Sequence, residues 1–535
     1  MKDGTGKYHS IKKDITDGIR KYRSHFLIIG LFVMLLHSAK LNSNVIGIDT
    51  EDLMHLGNDF YGGWLTTGRQ GLVFLKYILG NFSFNPYFTG MMTLILLAVS
   101  VSAFLLLWDH VSGRGRKGRY GLTAWSLGGL LWVSHPVLVE QLYFSLQSME
   151  ICLCFVLTAG ALYLSFLWVE DRKRRGHVFL YIAVAVLLFL TFSSYQIFVV
   201  LYIFGVAAVL FLQSLAALEE GPTLSAKVLW KKAGLYVVLF LTAFLINMAV
   251  TKLFFSTSDY LRQQILWGEI DFVDNVRNIY HHIRQALTGA GSIFYHWSYG
   301  ALCVSSFLLL LALLWKRREQ RKGSRLMLLF LYLALMAMPF LMTIIMGSIP
   351  AVRSQLILPV MTAFLAYLNI VLLCHATGLK EKVLGCAAAV LVLVCGAGSL
   401  EQARMTGALY YTDRCRYEQD VAVARQLIRE LDRINYWKLP VAVVGKLEFE
   451  PNNACVQGEI IGCSFFDYDT EVEPQNYWST RRILGFFHTL GADYEQLHID
   501  RMDEALECST YMATWPEYNC IEIWDDFVVI RLRES

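Results

Sequence analysis

Asp49, Glu51 and Asp52 put three carboxylates within four positions of a 535-residue chain, and His55, Asp59, Trp64 and Arg69 follow within the next seventeen. Carboxylates this close repel one another, and partial desolvation raises the pKa of at least one of them, which suits a general base. The bland alternative is a solvated acidic turn. Arg69, and far downstream Arg353 in GSIPAVRSQLILP, carry the planar fork that matches phosphate or pyrophosphate bidentately. Each could equally be an interfacial anchor reaching for headgroups. Further polar candidates are Tyr195 and Gln196 in SSYQ, and His135, Glu140 and Gln141 in SHPVLVEQLYF. For these, an aromatic belt and a half-buried amphipathic segment are the competing readings.

Several chemistries are absent from the sequence. It has no P-loop, no dinucleotide-binding glycine fingerprint, no HExxH zinc pair and no GxSxG elbow. An ATP-driven pump is thereby excluded. Cys152 and Cys154 lie within an apolar run and read as packing.

The elements that must position these residues are set by composition. Hydrophobic residues make up 55% of the chain and charged ones 17%, against roughly 25% charged in soluble domains. A net charge of +3 leaves no basic surplus for a nucleic acid. The class is an all-α polytopic membrane protein. Eleven apolar stretches are candidate spans, near 25–39, 88–108, 120–134, 150–168, 178–193, 197–217, 233–252, 299–315, 326–346, 355–373 and 383–400. The third is the weakest, being short and glycine-rich. The first lacks a small-x-small cleavage site and reads as an anchor. No charged residue is placed deep in any span.

Lysine and arginine alternate sharply between successive loops: 26 fall on one side and 7 on the other, which orients the N-terminus to the cytoplasm. The resulting division is a basic cytoplasmic segment 1–24, a transmembrane unit 25–400 with external loops 40–87 and 253–298, and an extracytoplasmic α/β domain 401–535. Arg69 and Arg353 are among the few basic residues outside. The stretch 256–297, with Asp259, Arg262, Asp271, Asp274, Arg277 and His281, reads as interfacial helices. In the tail, LPVAVVGKLEF reads as a buried strand, STRRILGFFHTLGA as a helix, and CIEIWDDFVVIRL as two strands about an Asp-Asp turn. Five of the eleven cysteines (Cys415, Cys455, Cys463, Cys508 and Cys520) fall there, and they pair in part or stay free.

Acids just after the first span, then Trp64 and the pair Gly68-Arg69, resemble the bacterial GtrII-type glucosyltransferase family. SSYQ at a helix end, the lone Arg353 before a late span, and a tail running YYTDRCRYEQDVAVARQLIREL into PVAVVGK extend the likeness over most of the chain. One departure is Glu51-Asp52 where relatives tend to show Asp-Asp; another is His55 where a basic residue is common. The resemblance implies a fold of the GT-C type in the bacterial cytoplasmic membrane. It also implies transfer of a sugar, glucose by the family name, from a polyprenyl-phosphate carrier to a cell-envelope glycan on the outer face. In that scheme one of Asp49, Glu51 and Asp52 is the base, Arg69 and Arg353 hold the donor phosphate, and His55, Trp64, Tyr195, Gln196, His135 and Glu140 line the substrate site. The simplest form needs no metal, although three clustered acids could hold a divalent ion. Competing classes are another lipid-carrier enzyme, such as a ligase or phosphoryl-group transferase, and a transporter or flippase.

Overall fold

The computed structural model describes every residue except 1–10, 43–44, 113–119, 172–175, 221–224, 256–262, 318–321, 376–380, 436 and 534–535. Asp259, Arg262 and the basic runs at 114–119 and 172–175 therefore lie outside the described residues. α1 (Ile11–Leu36) leads into short helices α2 (Ala39–Asn42), α3 (Thr50–Leu56), α4 (Tyr61–Thr66) and α5 (Gln70–Ile78). Then come α6 (Pro86–Val111), α7 (Tyr120–Val133), α8 (Val137–Tyr143), α9 (Ser145–Glu170), α10 (His177–Phe192), α11 (Ile197–Glu220) and α12 (Ala226–Phe254). The bundle continues with α13 (Phe272–Thr288), α14 (Trp297–Lys316), α15 (Lys322–Ala337), α16 (Leu341–Met346), α17 (Ile357–His375) and α18 (Glu381–Ile434). The tail holds β1 (Val441–Val444), α19 (Tyr477–Thr489), α20 (Met502–Ser509), β2 (Ile521–Trp524) and β3 (Phe527–Arg531).

Among the described residues, eight helices are long and apolar enough to cross a membrane: Pro86–Val111, Ser145–Glu170, Ile197–Leu218, Ala226–Phe254, Trp297–Lys316, Gly323–Met346, Ile357–Cys374 and Gly385–Ile434. The three remaining expected spans fall on α1, α7 and α10. Half of α1 is charged leader, while α7 and α10 have 14 and 16 residues. Helices packed among others need less length. The apolar window of α17 is 94% buried and that of α12 is 17% buried. α17 is thus the axis of the bundle and α12 lies at its rim.

The glycine-rich character of α7, which makes it look weak as a span, is what lets it approach its neighbours. A Cβ on Gly128 would stand 3.0 Å from the Ala363 carbonyl of α17, and one on Gly129 would stand 2.7 Å from Ile29 of α1. Small residues permit close backbone approach where apolar burial gives no preference between helix and lipid.

The boundary expected at 400/401 falls inside α18, a single helix of 54 residues. At 1.5 Å per residue it runs about 80 Å, far beyond a ~30 Å hydrocarbon core. Its middle is stitched to the turn after α7, with Ser134 Oγ donating to Gln402 Oε1 at 3.0 Å and Thr406 Oγ1 donating to the Ser134 carbonyl at 3.0 Å. Further on, the fully buried Arg416 donates to the Ile46 carbonyl at 3.1 Å and pairs with Asp413 and Asp420. Asp420 in turn accepts from Ser464 Oγ at 2.6 Å and from the Phe465 N–H at 3.2 Å. One helix therefore ties the first loop to the tail.

The tail sheet has the order β1-β3-β2, with β1 parallel to β3 and β2 antiparallel to it. The expected strands and the Asp525-Asp526 hairpin are present, Asp525 taking the positive φ such a tight turn demands. All eleven cysteines are free thiols.

Candidate active site at the seam between the first loop and the tail

α3 and α19 carry opposite charges to one seam. The chain reaches α3 through Gly47, where a Cβ would lie 2.8 Å from the Tyr143 ring, and through Ile48, whose N–H donates to Tyr143 Oη at 2.9 Å. Asp49 then takes a left-handed turn, φ 72°, tolerated by Asp better than by most residues. That turn starts α3 with Glu51 and Asp52 in its first turn, where the helix dipole favours negative charge.

On the other side, Thr480 sets the rotation of α19. Its hydroxyl accepts from the Val443 N–H and donates to the Val443 carbonyl, both at 3.0 Å, so it closes the outer edge of β1. The next two residues face the acids. Arg482 pairs with Glu51, with Asp469 at 2.6 Å and with Asp49 at 3.4 Å, while Arg481 reaches both oxygens of Asp52 at 3.4 Å. Four carboxylates thus surround two guanidiniums, which leaves the seam net negative when all are ionised.

The three first-loop acids are not equivalent. The Glu51 side chain is fully buried, whereas Asp52 is 15% and Asp49 41% exposed. Burial pushes the Glu51 carboxyl up to about 8 against the pull of Arg482, with Asp52 and Asp49 adding to the rise. Its Oε1 is held by Arg482, and its Oε2 is buried without a hydrogen-bond partner. A carboxylate with one oxygen anchored and the other free, titrating near neutrality, is equipped to take a proton.

Arg353 joins this neighbourhood. Its guanidinium lies 4.5 Å from the Phe144 ring centroid, next to the Tyr143 that supports α3. Tyr468 feels the charges of Asp49, Arg353 and Arg482 together, and its ring lies 5.0 Å from the Arg482 guanidinium. Arg69 belongs to a second group. It stacks 5.3 Å from the Tyr195 centroid, its Nε is buried without a hydrogen-bond partner, and Gln196 donates to the Thr67 carbonyl at 3.5 Å. The two segments are locked together where the Gly71 N–H donates to the Ser193 carbonyl at 2.9 Å. A Cβ at Gly71 would meet Ser193 Oγ at 2.3 Å.

The other expected residues have separate tasks. Trp64 packs on Phe60 and Tyr61, with Lys76 6.0 Å from its centroid. His55 packs edge-on against His488 at 4.8 Å. His135 is buried, and burial, with His296 adding, pushes its imidazole down to about 3. Glu140 spends both carboxylate oxygens on the tail, accepting from the Glu459 N–H at 2.7 Å and the Ile460 N–H at 3.3 Å. Gln141 is buried with both side-chain polar atoms unpaired.

Two features of the region escape sequence reasoning. Arg481, Arg482 and Asp469 lie more than 400 residues from Asp49, Glu51 and Asp52. A signal for Arg482 does exist: it stands four positions before Phe486 in an apolar helix, so helical spacing puts it on the buried face. The other is the pair of Lys76 and Glu150, whose Nζ and Oε1 lie 3.0 Å apart with both side chains fully buried, Glu150 standing in the second turn of α9 at the first position of the span expected at 150–168. Two buried charges survive there because each neutralises the other.

The fold is a bundle of helices long and apolar enough to cross a membrane, with a half-anchored carboxylate and two stacked arginines at its loops. Residues 17–370 match the family described as Glucosyl transferase GtrII, and the chain belongs to that family. It is a membrane glucosyltransferase. No curated protein and no solved structure matches it.

Proposed function

We propose that the enzyme moves glucose from a polyprenyl-phosphate carrier to a hydroxyl of a cell-envelope glycan at the outer face of the bacterial cytoplasmic membrane, on a bundle of the GT-C type, with Glu51 as base. The observation that carries the base assignment is the free, buried Oε2 of Glu51 beside an Oε1 held by Arg482. The lysine and arginine asymmetry of the loops supports the outer face.

In this reading the acceptor oxygen attacks the anomeric carbon while the bond from that carbon to the phosphate oxygen breaks. The leaving polyprenyl phosphate keeps the electron pair, and the acceptor proton passes to Glu51 Oε2. A single displacement inverts the anomeric centre. Arg69, with an unpartnered Nε over Tyr195, and Arg353 over Phe144 stabilise the charge that develops on the phosphate. Asp49 and Asp52 keep the Glu51 carboxyl basic by repulsion. Trp64, Tyr195 and Gln196 line the donor side. His135 and Glu140 support the loops.

The test is transfer of labelled glucose from synthetic polyprenyl-phosphate-glucose to an extracted envelope fraction by purified protein in lipid. Glu51→Gln should lower transfer about 10²- to 10⁴-fold, the range of general-base contributions, with Asp49→Asn and Asp52→Asn milder. Full activity in Glu51→Gln would place the base elsewhere. No transfer by the unaltered protein from an intact donor would overturn the carrier or the sugar.

A further inference from the structure

We propose that His55, His488 and Asp493 form a binding site for a dication of the zinc class, which clamps α3 to α19 beside the acidic cluster. Each residue offers one ligand atom, and the three atoms lie within 4.8 Å of one another. The imidazole rings meet at 4.8 Å and 71°, His488 Nδ1 lies 3.3 Å from Asp493 Oδ1, and His55 Nδ1 is buried without a hydrogen-bond partner. Tetrahedral zinc, with bonds of about 2.0–2.2 Å, spaces its ligand atoms about 3.4 Å apart. Small rotations of the Asp493 carboxylate and the His488 ring close that gap, since their side chains are 75% and 39% exposed.

The donor set decides the ion. Two imidazoles and one carboxylate favour zinc and its neighbours over magnesium or calcium, and three protein ligands leave a fourth position for water or substrate. Asp52 and Arg481 also face His55. They pair with each other at 3.4 Å, so Asp493 supplies the net charge that draws a cation.

Placement gives the site its consequence. His55 stands four positions after Glu51 on α3, and His488 stands seven after Arg481 on α19, so each imidazole shares a helix face with a member of the charged seam. An ion here would hold the two helices at the spacing on which the pairing of Glu51 with Arg482 depends. It would act as a positioning element, whatever the sugar or acceptor.

The experiment uses tag-free, full-length protein in lipid, stripped by chelator and dialysed against zinc or cobalt. The expected result is one saturable ion per chain and, with cobalt, the intense visible absorption of a tetrahedral site. His55→Ala and His488→Ala should each weaken binding at least tenfold, Asp493→Asn less, at unchanged helical content and elution. Millimolar magnesium should not displace the ion. Absence of saturable binding overturns the proposal. So does equal binding by the variants, which would mark an adventitious ion only, and so does displacement by magnesium, which would move the site to the carboxylates. Every readout is independent of glucose transfer.

Discussion

Arg482 lays Nη1 on Oε1 of Glu51, joining two residues 431 positions apart across the line between the helical bundle and the tail. Both side chains are buried, and Arg482 has further partners in Asp469 and Asp49. Removing one member of a buried pair leaves the other uncompensated, at about 3–5 kcal/mol. Arg482→Ala should therefore undock the tail, read as faster proteolysis of 440–533 and a lower melting temperature. The double variant with Glu51→Gln should be more stable than the sum of the single losses. Strict additivity would show that the two groups do not interact.

The pH profile follows from the same pair. A base must be ionised, and the Glu51 carboxyl is pushed up to about 8, so transfer should rise with pH and level off above 8. Asp52→Asn removes a repelling charge, lowers that carboxyl and moves the limb to lower pH. Stability runs the other way. A carboxyl raised above its unfolded value of about 4.3 binds its proton more tightly when folded, so that contribution is complete below 4.3 and is lost as pH rises through about 8. Glu51→Gln should flatten both curves, as initial rates and thermal melts between pH 5 and 9 would register.

Thr480→Val tests how α19 is aimed. The substitution keeps the shape but strips the hydroxyl from the N–H and carbonyl of Val443. Two backbone groups lose their partner, at about 1–3 kcal/mol each. The melting temperature should fall, and transfer should fall with it because Arg481 and Arg482 lose their fixed direction. An unchanged melt would mean that water replaces the hydroxyl.

Arg69→Lys separates charge from geometry. A lysine keeps the positive charge but loses the fork and the stacking on Tyr195. The expected outcome is a rise in KM for the polyprenyl-phosphate donor, with kcat/KM down about 10- to 100-fold, equivalent to about 1.4–2.7 kcal/mol. Kinetics against donor concentration decide it, and wild-type values would remove Arg69 from the phosphate.

Gly458→Ala should mimic loss of Glu140. A Cβ there would stand 2.2 Å from Glu140 Oε1, in the space where that carboxylate receives the Glu459 N–H. Overpacking of this kind costs about 1–3 kcal/mol, and Glu140→Ala should give a comparable drop in melting temperature through the same loop. A neutral Gly458→Ala would show that the 458–461 loop shifts freely.

The sequence by itself determined the apolar helices, the strands about Asp525-Asp526, and the acids with Arg69 and Arg353 as the place to look. These rest on local signals, namely runs of some twenty apolar residues, alternation in short strands, and charges crowded within a few positions. Tertiary structure alone decided which acid is buried, because Glu51 and Asp52 are neighbours in sequence and differ only in what covers them. It also decided that Arg481 and Arg482 belong to the first loop, that Glu140 holds the tail, and that Lys76 meets Glu150 inside the protein. It ran α18 unbroken across position 400/401, a continuity that composition does not show. Ion pairs between segments hundreds of residues apart leave no spacing in the sequence. Only the packing of α3 on α19 brings them within reach.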